Sequence, residues 1–392
     1  MISVQQAKDI VHSVGLPSRI EQLSLLQASG KILAENMIAI ADIPAFAQSS
    51  MDGYALQFNG GTKPLLITGK IQAGNRETQK LETGQAMRIF TGAPLPEGAD
   101  TVIIQEKSEV ENGYLILKDD QLTKGQFVRP KGAEVKKGEI AMTAGTYLSP
   151  AALGFLAGIG FAEVPVFATP SVTIILTGDE LQTPGQSLSF GQVYDANSFQ
   201  LTAALQKAGI HPIHIKHATD SFESVRNAIS DALQESELVL ITGGVSVGDY
   251  DLVVPAATEC GIETLFHKIK QKPGKPLFFG RKNEKIVFGL PGNPSSALTC
   301  FYEYVLPLID TWLRLPHSVK TIKAKVEHAY KKPAGLTHFV KVFYEDGKVS
   351  VLHAQESFRL HSFAQSNCLL VLPEESTGCE PGDMVTIHLL PV

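Results

Sequence analysis

The sequence predicts a multidomain protein of mixed α/β and β class, and three observations predict it. Between residues 171 and 310, apolar runs alternate with helical stretches, which is typical of a parallel-type sheet covered by helices. Residues 44–145 contain short alternating apolar runs separated by turns, which indicates a β-rich domain. The segment after about residue 320 has strand-like runs and few helical signals, so we expect a small β domain of barrel-like form there.

Length and composition indicate an ordinary globular protein. The 392 residues suffice for two to four domains, and a net charge of −6 argues against a protein that coats nucleic acid or an anionic membrane. We therefore expect a small-molecule partner. The longest apolar run, 150–162, is too short to cross about 30 Å of hydrocarbon. No secretory leader is visible and the four cysteines form no C-x-x-C pair, so we expect reduced cysteines and a cytoplasmic location.

Two predicted helices bracket the β-rich segment. Ala7 and Val11 repeat at helical spacing behind Ser3, which favours an amphipathic helix at the N-terminus. A second helix is expected after Ser149-Pro150, where an N-cap residue precedes a proline. We expect this helix to pack against the first, which would make the β-rich part an insertion. The predicted domains are a helical linking domain (1–43 with 138–170), an inserted β-rich domain (44–137), a central α/β domain (171–315) and a C-terminal β domain (316–392).

Three predicted strand ends in the α/β domain are followed by glycine-rich loops, at 177–180, 242–251 and 290–296. Open parallel sheets bind ligands at the carboxyl ends of their strands, and glycines let backbone N–H groups approach an anion. One such loop alone would indicate a tight turn, but three in one sheet favour a phosphate site. Neither a P-loop nor a G-x-G-x-x-G at a strand–helix junction is present. The loop residues predicted to bind substrate include Gly243, Gly244, Ser246, Gly292 and Asn293.

Charged residues of both signs accompany these loops. Lys272 and Lys275 stand three residues apart in the rigid KPGKP turn, where a solvated turn is the alternative to a phosphate contact. Close carboxylates repel each other by about 4 kcal/mol at an effective dielectric of 20, so several of them beside a phosphate imply a divalent cation. Oxygen ligands favour Mg²⁺ over zinc, although at least one carboxylate is expected to be a helix N-cap. The acidic residues are Asp179, Glu180, Asp220, Asp249 and Asp251.

A second group of candidates lies in the β-rich segment, at 44–55 and 91–100. Asp52-Gly53 is a common turn pair, and these residues alone favour a hairpin turn over a functional site. The TGAPLPEGAD loop at 91–100 fits ligand positioning and strand connection equally well. Three histidines of HPIHIKH at 211–217 could suggest zinc, but their spacing on a strand favours a strand edge.

Taken together, these motifs closely resemble those of the molybdopterin molybdenumtransferase family, which is MoeA in bacteria and the E domain of gephyrin in animals. They fall in the family's order, and the likeness covers essentially the whole chain. Any one motif would be a weak signal, but the set is specific. The motifs are P-x-F-x-x-S-x-M-D-G-Y-A at 44–55, TGAPLPEGAD at 91–100, TGDEL at 177–181, ITGGVSVGDYD at 241–251, KPGKP at 272–276 and GLPGNP at 289–294.

The resemblance implies that adenylylated molybdopterin and molybdate bind with a divalent cation, that molybdenum joins the dithiolene sulfurs, and that AMP is released. It also implies an elongated homodimer with each site built between protomers. Glu180, Asp220 and Asp251 are the expected cation ligands. The catalytic residues that it implies are Asp52, Thr91, Glu180, Asp220 and Asp251, and the substrate-binding residues that it adds are Lys272, Lys275, Pro291, Pro294 and Ser357.

Two positions depart from the family pattern. Glu134 stands where the family usually has aspartate, and Lys341 stands where an arginine is common. Because lysine lacks the bidentate fork of arginine, the departure at Lys341 bears on the affinity for molybdate.

Two alternative functions belong to neighbouring classes. Molybdopterin adenylyltransferases are similar only over 171–310, so the MDGY insertion and the terminal β domain favour molybdenum insertion. A non-catalytic scaffold of the gephyrin type has no reason to keep carboxylates and lysines together at strand ends. Transient contact with other enzymes of molybdenum cofactor synthesis is also expected.

Overall fold

The computed structural model describes residues 1–61, 63–245 and 252–391. The chain divides into two compact units: unit 1 comprises Met1–Ile20 and Phe167–Val392, and unit 2 comprises Glu21–Val166. No helix of the described residues is long and apolar enough to span a membrane.

Helix α1 (Val4–Ser13) opens the chain and belongs to unit 1. Ser3 Oγ accepts from the backbone N–H of Gln6 at 3.1 Å, and Gln6 Oε1 accepts from that of Ser3 at 2.9 Å, which forms a capping box. The buried residues Ala7 and Val11 join the core of unit 1. The expectation that α1 packs against the second helix is wrong, because that helix buries its apolar side chains in the core of unit 2. Periodicity defines an apolar face but not its partner.

Unit 2 consists mainly of short strands. A 3-10 turn at Gln105–Lys107 connects two of them. The elements along this part of the chain are β1 (Ile20–Ser24), β2 (Met37–Ile38), β3 (Gln48–Ser49), β4 (Gly53–Leu56), β5 (Leu65–Ile71), β6 (Gln85–Ile89), β7 (Thr101–Ile104), β8 (Ser108–Glu111), β9 (Tyr114–Leu117), β10 (Val128–Arg129), β11 (Ile140–Met142), α2 (Pro150–Ile159) and β12 (Glu163–Phe167).

Six of these strands form one sheet, in the order β7-β4-β6-β5-β9-β8. Strands β5 and β6 run parallel, and the other neighbours run antiparallel. The chain enters and leaves this sheet through the antiparallel pairs β2–β11 and β3–β10. Such nested pairing is what an inserted domain produces, although the boundaries 44 and 137 stay a prediction.

Unit 1 continues with an α/β segment. A π-helical stretch at Phe301–Val305 joins its last two helices. Its elements are β13 (Val172–Thr177), β14 (Leu181–Gln182), β15 (Val193–Tyr194), α3 (Asn197–Lys207), β16 (Ile213–Ala218), α4 (Phe222–Glu235), β17 (Leu238–Thr242), α5 (Val253–Glu259), β18 (Glu263–His267), β19 (Gln271–Lys272), β20 (Phe278–Lys282), β21 (Lys285–Leu290), α6 (Pro294–Cys300) and α7 (Leu306–Trp312).

The main sheet of this segment has the order β16-β13-β17-β21-β20-β18. Its first four strands are parallel, as predicted. Strands β20 and β18 are antiparallel to their neighbours, which the sequence analysis missed. Lys282 pairs with Lys285 across a two-residue turn, and Asn283 adopts φ 55° there. This tight hairpin replaces the crossover helix that a parallel neighbour would need.

Side chains alternate between the two faces of the sheet, and each face has its own core. Ile174 and Leu176 lie in the core that includes α1, α3, α6 and α7. Ile175 lies in the core that includes α4 and α5. Strands β13, β17 and β21 are nearly continuous apolar runs because both faces are covered. Their carboxyl ends therefore meet at one edge, and the glycine-rich loops follow from there.

The last segment of unit 1 forms the predicted small β-barrel. Strands β24, β25, β22, β28 and β26 follow one another, and a further pairing of β24 with β26 closes the ring. Strand β19, which carries Lys272, adds to β24 in parallel. The elements are β22 (Lys320–Val326), β23 (Tyr330–Lys331), β24 (Thr337–Glu345), β25 (Lys348–Val351), α8 (His361–Ala364), β26 (Cys368–Leu372), β27 (Gly378–Cys379) and β28 (Met384–Leu389).

Candidate functional site

A cavity of about 530 Å³ lies in unit 1 at the carboxyl ends of β13, β17 and β21. We call it the strand-end pocket. It gathers residues from all three glycine-rich loops and from the start of α3, as expected for a ligand site in an open α/β sheet. The site residues predicted from the sequence that line it are Glu180, Asp220, Gly243, Gly244, Pro291, Gly292, Asn293 and Pro294.

Close backbone approach explains the glycines of the pocket. Gly243 has φ +87°, and a Cβ atom there would lie 2.6 Å from Thr177 Oγ1. The Thr177 hydroxyl donates to the carbonyl oxygen of Thr242 at 3.1 Å, which joins the loops after β13 and β17. A Cβ atom on Gly292 would lie 3.5 Å from the Cα atom of Gly243. The three loops are thus packed against one another, and a side chain at Gly243 would separate them.

Carboxylates lie on two adjacent loops of the pocket. The backbone N–H of Asp179 points to Asp220 Oδ2 at 3.4 Å, and that of Asp220 points to Asp179 Oδ1 at 3.3 Å. Glu180 folds over Gly178, whose Cβ atom would lie 2.3 Å from Glu180 Oε2. Asp179 is therefore engaged in holding the neighbouring loop, while Glu180 and Asp220 line the cavity.

Part of the predicted cation site lies outside the described residues. Asp249 and Asp251 fall there, as does Ser246. Within the described ranges, no group of three His, Cys, Asp or Glu side chains is placed to hold a metal ion. The 211–217 histidines lie on or beside β16, an edge strand, as the sequence favoured.

Helix α3 holds the loop after β21, a contact that was not predicted from the sequence. The side-chain amide of Asn197 donates to the carbonyl oxygen of Gly292 at 2.8 Å, and the side-chain amide of Gln200 donates to the carbonyl oxygen of Pro294 at 2.9 Å. Asp195 caps the helix start by accepting from the backbone N–H of Ser198 at 3.0 Å. The run Asp195 to Ser198 signals a helix start, but its spacing does not reveal that Asn197 reaches another loop.

Buried side chains form hydrogen bonds that fix the backbone of the lysine turn at 272–276. Gln271 Nε2 donates to the carbonyl oxygens of Pro273 at 3.1 Å and Gly274 at 3.2 Å, and the Tyr304 hydroxyl donates to Gln271 Oε1. Lys272 and Lys275 are exposed. No carboxylate of the described ranges lies within salt-bridge distance of either ammonium group. Pro276, the next residue of the turn, lines the strand-end pocket, whereas neither lysine does, so the turn that carries both charges borders the pocket.

One barrel loop reaches the pocket. Asn293 Nδ2 donates to Ser357 Oγ at 2.9 Å, which brings Ser357, one of the expected substrate-binding residues, to a pocket-lining residue. Lys341, the departure from the family pattern, is buried in the barrel rather than exposed at the pocket. Glu134, the other departure, is exposed in unit 2.

Asp52 and Thr91 are joined by hydrogen bonds within unit 2. Asp52 Oδ1 accepts from the backbone N–H of Thr91 at 2.8 Å and from its hydroxyl at 2.7 Å. The backbone N–H and then the hydroxyl of Thr91 lower the pKa of the Asp52 carboxyl, so the group is ionised at neutral pH. The side chain is exposed, so this arrangement presents a carboxylate to solvent. A hairpin turn alone would not require Thr91.

Three family models match successive parts of the chain. The MoeA N-terminal region (domains I and II) matches residues 2–160, a probable molybdopterin-binding domain matches 173–311, and the MoeA C-terminal region (domain IV) matches 323–390. Among solved structures, the molybdopterin biosynthesis MoeA protein from Pyrococcus horikoshii superposes with a TM-score of 0.86 at 30% identity, and the match covers 99% of both chains.

Curated relatives extend this similarity. A molybdopterin molybdenumtransferase of Haemophilus influenzae is 35% identical, with 100% of each chain covered. One from Nostoc sp. is 34% identical over 95% of this chain and 89% of its own length. One from Bacillus subtilis is 32% identical over 94% of this chain and 90% of its own. Matched along its whole length in sequence and fold, the chain belongs to the MoeA family of molybdopterin molybdenumtransferases, which are transferases of molybdenum cofactor biosynthesis.

Proposed function

We propose that the chain transfers molybdenum from molybdate to the dithiolene sulfurs of adenylylated molybdopterin and releases AMP. The observation that carries the proposal is the strand-end pocket, where packed glycine loops and carboxylates line one cavity of about 530 Å³ and a turn with two exposed lysines borders it. A nucleotide-bearing pterin has phosphates that these groups suit and a flat ring system that a cavity of this size accommodates.

Different groups of the described residues bind different parts of the substrate. Backbone N–H groups at Gly243, Gly244 and Gly292 approach the phosphates, because no side chain keeps the anion away from the backbone. Lys272 and Lys275 neutralise phosphate charge from the flank of the pocket. Asn293 and the Ser357 hydroxyl offer polar contacts where the barrel meets the pocket.

The pocket residues fit the implied Mg²⁺. Glu180 and Asp220 supply carboxylate oxygens from two adjacent loops, and the described lining residues include no histidine or cysteine. Such an oxygen donor set suits Mg²⁺ rather than zinc. We propose Asp251 as a further ligand on the basis of family resemblance. When bound, Mg²⁺ would neutralise the charge that develops on the phosphates.

We further propose that the active form is a cytoplasmic homodimer in which Asp52 and Thr91 of one protomer serve the strand-end pocket of the other. The exposed Asp52 carboxylate supports this, because both hydrogen bonds from Thr91 go to Oδ1 and fix its direction. The same proposal includes the division into the four domains predicted from the sequence. It also includes transient contact with other enzymes of the pathway.

The experiment that tests the activity measures AMP release from adenylylated molybdopterin by the purified full chain. We expect release to need both molybdate and Mg²⁺. An adenylyltransferase would instead consume ATP and molybdopterin and form pyrophosphate. Pyrophosphate formation from ATP without molybdate-dependent AMP release would replace our proposal with that activity.

A further inference from the structure

The ammonium group of Lys341 is enclosed by a single barrel loop, residues 354–359. Lys341 lies on β24 and is 2% exposed. Its Nζ donates to the carbonyl oxygens of Ala354 at 2.9 Å and Arg359 at 3.0 Å, and it lies 3.4 Å from that of Glu356. An ammonium has three donors, so these three acceptors account for all of them. The Lys341 side chain therefore has no donor left for a substrate.

The backbone of Lys341 is tied to the same loop. Its N–H donates to Gln355 Oε1 at 2.9 Å, and Gln355 Nε2 donates to its carbonyl oxygen at 2.8 Å. The Ser362 hydroxyl also donates to Ala354, at 2.7 Å. The loop is irregular, so its carbonyl groups lack ladder partners, and the ammonium joins three of them to β24. Without the ammonium, the Arg359 N–H would still donate to Glu356 and the Ser362 hydroxyl to either Ala354 or Arg359, so one of the three carbonyl groups would lack a donor and the loop would lose its common contact with β24.

This loop carries Ser357 to the strand-end pocket. Ser357 follows Glu356 directly, and its hydroxyl accepts from Asn293 Nδ2 at 2.9 Å. A continuous path of contacts thus leads from Lys341 through the loop backbone to the pocket. Burial lowers the pKa of Lys341 to about 8, while Glu356 acts to raise it and Arg359 to lower it, so the group is mainly cationic at neutral pH.

We propose that Lys341 is a positioning residue, which holds Ser357 at the strand-end pocket through the hydrogen bonds of its ammonium group to the 354–359 loop. We propose also that Lys341 does not bind the oxyanion substrate. A contribution of Ser357 to molybdate binding is part of this proposal and rests on the proposed function, whereas the loop-holding role of Lys341 does not. The two parts are therefore tested by separate readouts.

The first readout is hydrogen–deuterium exchange of the full chain without substrates. In Lys341→Met we expect the 354–362 segment to exchange roughly tenfold faster, because the loop loses the ammonium that joins the carbonyl groups of Ala354, Glu356 and Arg359 to β24. Lys341→Arg retains donors, and exchange should stay close to wild type. Lys332→Met is the matched control, because Lys332 is also a buried lysine whose ammonium contacts carbonyl oxygens. Its Nζ donates to the carbonyl oxygen of Leu336 at 2.8 Å and lies 3.4 Å from that of Glu374 and 3.5 Å from that of Pro333, all outside the 354–359 loop. Unchanged exchange at 354–362 in Lys341→Met would overturn the loop-holding role.

The second readout is steady-state AMP release. Lys341→Met should raise the KM for molybdate about tenfold with a smaller fall in kcat, and Lys341→Arg should restore most of the affinity. A raised KM without faster exchange would instead make Lys341 a direct ligand and overturn the proposal. Faster exchange with unchanged KM would overturn the link to Ser357. If Lys341→Met does not fold, Gln355→Ala loosens the same loop from β24 and carries the same expectations. If wild type releases no AMP, the proposed function fails while the exchange result still decides the loop.

Discussion

The side-chain amide of Asn197 donates to the carbonyl oxygen of Gly292 at 2.8 Å, which fixes the glycine loop after β21 to the first turn of α3. Asn197→Ala should weaken binding of adenylylated molybdopterin about five- to thirtyfold, because the loss of one such bond costs about 1 to 2 kcal/mol and frees the loop. Calorimetric titration measures this. The control is Gln206→Ala, an exposed position on the same helix, and equal affinities of the two variants would contradict the prediction.

Gly274→Ala should destabilise unit 1. Gly274 has φ +85°, and a Cβ atom would lie 2.5 Å from the buried Cys300 Sγ. We expect a loss of about 2 to 3 kcal/mol in the free energy of unfolding, from backbone strain and overpacking together. Denaturant unfolding measures the loss. The matched control is Gly382→Ala, where φ is +93° but no atom lies within 4 Å, so only the strain acts. Equal losses would show that the contact with Cys300 is unimportant.

Lys275→Ala should reduce substrate affinity with little effect on stability. An exposed lysine contributes little to folding, whereas a charge-assisted bond to phosphate is worth roughly 1.5 to 3 kcal/mol, or about ten- to a hundredfold in affinity. Binding of adenylylated molybdopterin and thermal unfolding measure the two effects. Lys320→Ala removes the same charge from an exposed barrel position and serves as control. An affinity like that of the control would exclude Lys275 from the phosphate site.

His338 should make unit 1 sensitive to acid. It is 4% exposed, and burial, followed by the charges of Lys332 and Lys272, lowers its pKa to about 4. Between pH 6.5 and 4 the unfolded chain binds a proton at this residue and the folded chain does not, so stability falls as the pH falls. The contribution is at most about 3.5 kcal/mol, for a shift of about 2.5 pKa units at about 1.4 kcal/mol per unit.

Unfolding at pH 7 and pH 4.5 measures this effect. The wild type should lose more stability than His338→Gln on acidification, because the variant has no group that titrates there. Equal losses would mean that His338 is readily protonated in the folded chain.

Complementation tests the proposed sharing of a site between protomers. Asp52→Ala and Asp220→Ala homodimers should each release AMP near background. In a mixed dimer, one site regains both carboxylates and the other loses both, so about half of the wild-type activity should return. Differently tagged chains allow the mixed dimer to be purified. No recovery in a folded mixed dimer would place Asp52 and the pocket in the same protomer or make Asp52 structural.

The strand-end pocket was predictable because its signals are local. Buried strands read as continuous apolar runs, and the loop after each shows its glycines directly, so Gly243 and Gly292 could be assigned to one sheet edge. The contacts that shape the pocket are tertiary. Nothing in the spacing of Asn197 or Gln271 indicates the carbonyl groups that they reach. For the same reason, the partner of α1 was predicted wrongly and the β20–β21 hairpin was missed.

The role of Asp52 was even less predictable from the local sequence. From its neighbours in sequence it is a turn residue, and only the fold reveals that Thr91, far along the chain, lowers its pKa with two hydrogen bonds. Asp52 was a candidate catalytic residue because of the family resemblance, whereas the local sequence alone favoured a hairpin turn.

The most direct test of molybdenum transfer is a single-turnover experiment with purified chain, adenylylated molybdopterin, Mg²⁺ and molybdate. It quantifies the AMP released and the molybdenum bound to the pterin product in the same sample. We expect equal amounts of both, with almost no AMP released when molybdate is omitted. AMP released at the same rate without molybdate, or a pterin product free of molybdenum, would rule out molybdenum transfer by this chain.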